Sequence, residues 1–207
     1  MQKDINNFLN DLSSSLPTPG GGGASALCGA IGAALGSMVC NLTIGKPKYA
    51  EFDADLRKII TQLEQLRQEL ILLAEEDEQA FAPLSKAYSL PSSTEEEKTH
   101  KAEVMEECLQ LAASVPMKIV HASYRAIELL SQLTEKGSRL AISDVGVGAA
   151  ICGSALKSAA LNVYINTKLM KNTEYAARLN AETDTFLEKG TALADQTYLA
   201  VETMLKQ

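Results

Sequence analysis

One carboxylate interrupts the longest apolar pattern in this 207-residue sequence. From Phe52 to Leu84, apolar residues recur at alternating steps of four and three, which places them on one face of a long helix. The polar exception in this pattern is Asp77. A buried carboxyl group has a raised pKa, which suits proton transfer near neutral pH. A drifting apolar face or a helix end also explains Asp77, and Pro83 predicts a kink or end nearby.

Four consecutive glycines, Gly20, Gly21, Gly22 and Gly23, open a segment that carries no charge from Ala24 to Ile44. A phosphate-binding loop is excluded, because no strand precedes the glycines and no Gly-Lys-Ser/Thr follows them. A membrane span is long enough but rich in Ala and Gly, with a polar Asn41 near its end. A ligand-binding helix start remains, since free backbone N–H groups there favour an anion or a carbonyl oxygen.

A strip of small residues follows the glycines at helical spacing: Ser25, Gly29, Gly32, Gly36 and Cys40. Interior glycine costs a helix about 1 kcal/mol relative to alanine, so close packing must offset that cost. We therefore predict a buried helix. Its partner is the similarly small-sided helix after Asp144, or a second copy of the same helix across a dimer axis.

The remaining patterns predict helices throughout. A short helix covers residues 4–12, a second long apolar face runs from Ala102 to Leu133, and a last helix begins near Asn172 or Thr173. Thr94 and Glu97 have the spacing of a capping box. No segment alternates with period two, so the expected class is all-α. The expected architecture is one domain over residues 1–207, a helical bundle with long kinked helices and two buried small-residue helices.

Charge and cysteine content exclude several functions. The net charge is −7 without a cluster of Lys or Arg, which argues against nucleic-acid binding. The four cysteines and two histidines lack the close spacing of a zinc site, so we expect no metal. Scattered cysteines and an N-terminus unlike a signal peptide predict a cytoplasmic protein. We expect no membrane partner.

Four blocks of the sequence resemble the cyclodeaminase domain of formiminotransferase-cyclodeaminases and related methenyltetrahydrofolate cyclohydrolases. The longest is PTPGGGGASALCGAIGAALGSMVCNLTIGKPKY, starting at Pro17. The others are Asp77-Glu-Gln-Ala-Phe81, Ser143-Asp-Val-Gly-Val-Gly-Ala149 and Leu161-Asn-Val-Tyr-Ile-Asn166. The resemblance implies an all-α homodimer whose site lies near the subunit interface and whose substrate is a tetrahydrofolate derivative, with a possible polyglutamate tail. It also implies a role in histidine degradation, beside a separate formiminotransferase.

The resemblance assigns the catalytic role to Asp77, the residue that the apolar pattern singles out. The predicted substrate-binding residues are Gly20, Gly21, Gly22, Gly23, Ser25, Asn41, Lys46, Lys48, Asp144 and Asn162. For the two lysines, the expected ligand is the glutamate tail of folate, and the alternative is an ordinary exposed loop. Asp144 either binds the donor-rich edge of the pterin or caps its helix. Asn162 either binds substrate or, with Asn166, links helices.

Three functions remain open from the sequence. The first is cyclisation of 5-formiminotetrahydrofolate to 5,10-methenyltetrahydrofolate with loss of ammonia, which we favour at this point. The second is hydrolysis of the methenyl bridge, and the third is a non-catalytic helical oligomer that binds a partner. No cofactor beyond the tetrahydrofolate substrate is expected.

Overall fold

The computed structural model describes residues 5–207, and this range holds helices and connecting turns without a strand. The predicted all-α class is therefore confirmed. Residue 4, the first of the predicted short helix, lies outside the described residues. The helices are α1 (Ile5–Leu12), α2 (Gly21–Asn41), α3 (Asp53–Ala87), α4 (Glu95–Lys136), α5 (Ile142–Thr167) and α6 (Thr173–Lys206), with short 3-10 turns at Pro47–Phe52 and Arg139–Ala141.

The two long helices bury the faces that their spacing predicts. In α3 the apolar positions from Leu56 to Leu84 form part of the core, and α4 does the same from Leu109 to Leu133. Neither Pro83 nor Pro116 ends its helix. The alternative of a helix end beside Asp77 is therefore wrong, because core packing holds α3 together although Pro83 donates no backbone hydrogen bond.

The helix ends follow the sequence signals in α4 but not in α5. The Glu97 N–H donates to Thr94 Oγ1 at 3.2 Å, and the Thr94 N–H donates to the Glu97 carboxylate at 3.1 Å, which confirms the capping box. α5 begins directly after a 3-10 turn, with Ala141 at its N-cap. Asp144 therefore lies inside the first helical turn, and the prediction that it caps the helix is wrong. An acidic residue there still suits the helix dipole.

The small-residue strip of α2 is buried between three helices. A Cβ atom added at Gly32 would lie 2.3 Å from Cys152 Sγ and 3.0 Å from the Gly148 carbonyl oxygen, both in α5. The predicted packing against the helix after Asp144 is therefore confirmed at Gly32. Gly29 and Gly36 instead face leucines of α3, together with Ser123 and Leu130 of α4.

Two segments, Gly21–Asn41 and Arg139–Thr167, are long and apolar enough to cross a membrane by length and composition alone. In their most apolar windows, 61% and 56% of the residues are buried inside the bundle. Burial of this extent is what the core helices of a globular bundle show. The absence of a membrane partner stays a prediction.

We predict that Gly32→Ala lowers the free energy of unfolding by about 1–3 kcal/mol, because the new methyl group overpacks the contact with α5. This loss would override the gain of about 1 kcal/mol in helix propensity. Denaturant unfolding measures the change. In a Cys152→Ala background, which removes the sulfur atom, the loss is expected to shrink. A variant that is more stable than the wild type would contradict the packing argument.

Candidate functional site

Asp77 lies against the glycine-rich start of α2. The Gly23 N–H donates a hydrogen bond to Asp77 Oδ2 at 3.1 Å. A Cβ atom at Gly22 would lie 2.2 Å from Asp77 Oδ1, closer than any side chain can approach. Glycine at position 22 is therefore required for the carboxyl group to reach the helix start.

The environment of Asp77 favours its protonated form. Burial raises the pKa of the Asp77 carboxyl above its ordinary value, and the nearby charge of Glu78 also raises it. The hydrogen bond from the Gly23 N–H lowers the pKa, but burial is the larger effect. The carboxylate of Asp77 is consequently a stronger base than that of an exposed aspartate, and it holds a proton at higher pH.

A cavity of about 220 Å³ opens beside this carboxyl group. It lies between the start of α2, the second half of α3, the middle of α4 and the end of α5. None of the hydrogen bonds found within residues 5–207 uses the N–H groups of Gly21 or Gly22, so these donors are available to a ligand. The lining residues are Pro17, Thr18, Gly20, Gly21, Gly22, Asp77, Phe81, Tyr88, Ala112, Pro116, Asn162, Ile165, Asn166 and Leu169.

Five of the residues predicted from sequence meet at this cavity: Gly20, Gly21, Gly22, Asp77 and Asn162. The side chain of Asn162 lies against Gly21 and donates to the Ser158 carbonyl oxygen at 2.9 Å.

Two further predicted residues support the helix start rather than line the cavity. The Gly23 N–H is bound to Asp77. The buried Ser25 hydroxyl donates to the Gly21 carbonyl oxygen at 2.6 Å within its own helix.

The other four predicted residues lie at the opposite end of the bundle. Asn41 ends α2, about 30 Å along the helix from Gly21, and Asp144 lies about 27 Å along α5 from Asn162. Lys46 donates to Ser138 Oγ at 3.2 Å, and Lys48 lies beside the ring of Tyr49. Within one copy of the chain, these residues are too far from Asp77 to share its ligand.

Several apolar residues and one amide line the cavity although they were not predicted as site residues from the sequence. Phe81 and Tyr88 follow Asp77 by four and eleven positions, a spacing that places them on the same side of α3. Their spacing from Asp77 could therefore have predicted both residues as part of the site. Ile165 and Asn166 lie at the end of α5 and Leu169 two residues beyond it, and no local pattern indicates that this end meets Asp77.

No cluster of three or more His, Cys, Asp or Glu side chains that could hold a metal ion occurs among residues 5–207. The expectation that the protein uses no metal stays a prediction.

The sequence matches a family model over most of its length. Residues 4–185 match the model described as formiminotransferase-cyclodeaminase. The chain belongs to the formiminotransferase-cyclodeaminase family. A similar relative of this family is the methenyltetrahydrofolate cyclohydrolase of Methylorubrum extorquens, which is 43% identical over 96% of this chain and 95% of its own length.

Two further relatives carry the name cyclodeaminase. The formimidoyltransferase-cyclodeaminase of Gallus gallus is 30% identical over 90% of this chain, but the match covers 35% of that longer protein. The crystal structure of a formiminotetrahydrofolate cyclodeaminase from Thermotoga maritima matches with a TM-score of 0.81 and 29% identity, over 99% of this chain and 96% of that one. The fold of this chain therefore matches the fold of that cyclodeaminase over nearly the whole length of both chains.

We predict that Asp77→Asn stabilises the protein increasingly as pH rises. The raised pKa means that the folded state binds the Asp77 proton more tightly than the unfolded state does. The wild type therefore loses stability from the ordinary value of 3.8 up to the higher folded pKa, and the asparagine variant avoids this loss. Denaturant unfolding at several pH values measures the difference.

Asp55→Asn provides a control of opposite sign, because the hydrogen bond from Lys136 at 2.6 Å lowers the pKa of Asp55. The contribution of Asp55 to the free energy of unfolding is fully present above pH of about 3.8, and it is lost as pH falls through the lowered folded pKa. Asp55→Asn should therefore reduce stability at neutral pH and have less effect in acid. Equal behaviour of the two variants would contradict the assigned environment of Asp77.

Proposed function

We propose that this protein is a folate enzyme that acts on the one-carbon bridge between N5 and N10 of tetrahydrofolate. The observation that carries the proposal is the position of Asp77. A single carboxyl group with a raised pKa lies in a cavity beside two free backbone N–H groups. Membership of the family and the names of its relatives supply the substrate class.

Hydrolysis of 5,10-methenyltetrahydrofolate is the first candidate reaction, since the cyclohydrolase relative is 43% identical to this chain, whereas the two cyclodeaminases described above are 29–30% identical. Water adds to the methenyl carbon, and the Asp77 carboxylate takes one proton from it. The adduct then loses its hydroxyl proton to solvent as the bond to N5 breaks. Asp77 returns the first proton to N5, the formyl group stays on N10, and one proton is released overall.

The cyclodeaminase reaction is the second candidate, and the neighbouring solved structure supports it. N10 attacks the formimino carbon of 5-formiminotetrahydrofolate, loses its proton to Asp77, and closes the five-membered ring. Asp77 passes this proton to the departing nitrogen, which leaves as ammonia after taking one more proton from solvent. Because the ring closure is intramolecular, holding N10 and the carbon in contact supplies much of the acceleration.

We predict that the purified protein changes the methenyl absorbance when it is offered the two substrates separately. Loss of absorbance with 5,10-methenyltetrahydrofolate identifies the hydrolase, and a gain with 5-formiminotetrahydrofolate identifies the cyclodeaminase. Asp77→Asn should lower the turnover by about 10²-fold or more, because it removes the proton-transfer group.

The matched control in this assay is Asp55→Asn on the same helix, which should retain turnover because Asp55 neither lines the cavity nor belongs to the segment with Lys46 and Lys48. Unchanged turnover in Asp77→Asn would refute the role of Asp77. Absence of turnover of either substrate by the wild type would favour the third alternative, a non-catalytic binding protein.

We also propose that the protein is a homodimer that packs through the outer faces of α2 and α5. α2 and α5 pack against each other, and both also contact α4, so the exposed faces of these two helices are neighbours. Both faces expose large apolar side chains, and the face of α2 carries no charged residue. The exposed apolar residues are Ile31 and Met38 in α2, Leu42 directly after α2, Val147, Leu161 and Ile165 in α5, and Leu169 two residues after α5.

A two-fold axis across these helices would explain how predicted substrate-binding residues at the far end of the bundle can reach a site at Asp77. When each helix packs antiparallel to its copy, the end of one protomer that carries Lys46, Lys48 and Asp144 lies near Asp77 of the other. The cavity of one protomer is smaller than the roughly 300–1,000 Å³ usual for ligand sites, which supports a contribution from the partner. The two lysines would then receive the glutamate tail of folate.

We predict that Ile31→Glu produces monomers and lowers activity, because it places a charge in the centre of the proposed interface. Sedimentation velocity measures the assembly. Leu72→Glu is the matched control, since Leu72 lies on α3, outside this face, and is 58% exposed against 46% for Ile31. A dimer that survives Ile31→Glu, or a wild type that is monomeric, would contradict the proposed interface.

The setting of the reaction is also a proposal. All four cysteines are free, which supports a reducing compartment and hence the cytoplasm. A separate formiminotransferase would supply the substrate of the cyclodeaminase reaction in histidine degradation.

A further inference from the structure

Pro116 creates an unpaired carbonyl group in the middle of α4. Proline has no N–H, so the carbonyl of Ala112, four residues earlier, has no partner within the helix. Asn166 of α5 replaces that partner, because its Nδ2 donates to the Ala112 oxygen at 3.3 Å. The same Nδ2 donates to the Asn162 carbonyl oxygen at 2.8 Å. Both N–H bonds of the amide are thereby used on the backbone.

This arrangement fixes the orientation of the Asn166 carboxamide. Carbonyl oxygens only accept hydrogen bonds, so the NH₂ group must face the two helices and Oδ1 must point away from them. Within residues 5–207, Oδ1 receives no hydrogen bond, yet it is not among the fully enclosed polar atoms without a partner. The residue is only 9% exposed and lines the cavity that contains Asp77. Oδ1 is therefore an acceptor open to that cavity.

We propose that Asn166 Oδ1 selects the substrate by accepting a hydrogen bond from the amide and amino edge of the pterin ring. The proposal rests on the folate function proposed above. That edge offers N–H donors at N3 and at the 2-amino group. A neutral amide accepts such a bond without placing a second carboxylate beside Asp77, which would raise the pKa of Asp77 further. Pro116 thus leaves the Ala112 carbonyl free to bind the Asn166 NH₂ group, and this bond directs Asn166 Oδ1 toward the substrate.

The test compares three ligands against variants of Asn166. The first ligand, 5-formyltetrahydrofolate, has both donors. Its 2-desamino-2-methyl analogue lacks the 2-amino donor, and its N3-methyl analogue lacks the N3–H donor. Asn166→Leu removes the acceptor at similar volume. We expect it to bind 5-formyltetrahydrofolate about tenfold more weakly than the wild type, the loss of one hydrogen bond, and to lose nothing with the analogue that lacks the paired donor.

A second variant separates recognition from folding. In Asn166→Leu with Pro116→Ala, residue 116 regains an N–H that can pair with the Ala112 carbonyl, so α4 no longer needs the amide. This double variant should show the same ligand selectivity as Asn166→Leu. Asn180→Leu, on α6 and outside the cavity lining, is the matched control and should bind all three ligands as the wild type does.

The outcomes are distinct. A variant that loses affinity equally for all three ligands, or for none, would overturn the role of Asn166 while leaving the folate function intact. A wild type that neither binds 5-formyltetrahydrofolate nor turns over either substrate would overturn both proposals.

Discussion

The site depends on the contact between a carboxyl group of α3 and the bare backbone at the start of α2. Asp77 occupies the volume that any side chain at position 22 would fill. The buried ring of Phe8, in α1, packs beside Gly23 and covers the start of α2. Burial and the Gly23 N–H act on the carboxyl group in opposite directions, and burial is the larger effect. The cavity is therefore arranged around a carboxyl group that holds its proton to higher pH than an exposed aspartate does.

The sequence predicted this contact only in part. Regular spacing on α3 singled out Asp77, since a carboxylate on an apolar face requires a physical reason. Helical spacing also identified the buried strip of α2, and the Gly32 contact with α5 confirms one of its predicted partners. Spacing within one helix gives no information on which helix ends meet. The end of α5, with Asn166, and the separation of Lys46 and Asp144 from Asp77 therefore could not be derived from it.

The two prolines show why a proline inside a long helix does not have to end it. α3 and α4 have 35 and 42 residues, and packing along their whole length outweighs the loss of one hydrogen bond in each. Pro83 lies on the exposed side of α3, where water can satisfy the freed carbonyl. Pro116 is buried, so another helix must supply the missing donor. Exposed Pro83 therefore needs no partner helix, whereas buried Pro116 lines the cavity and requires a donor from α5.

The glycine-rich packing of α2 has a consequence for synthesis on the ribosome. A helix with this many glycines is not stable alone, and the Gly32 contact must wait for Cys152, which is made 120 residues later (152 − 32). At translation rates of roughly 5–20 residues per second, this delay lasts about 6–24 s. We expect the nascent chain to expose an apolar, chaperone-accessible segment throughout that time, so proteases should cut α2 in ribosome-bound chains that stop before α5.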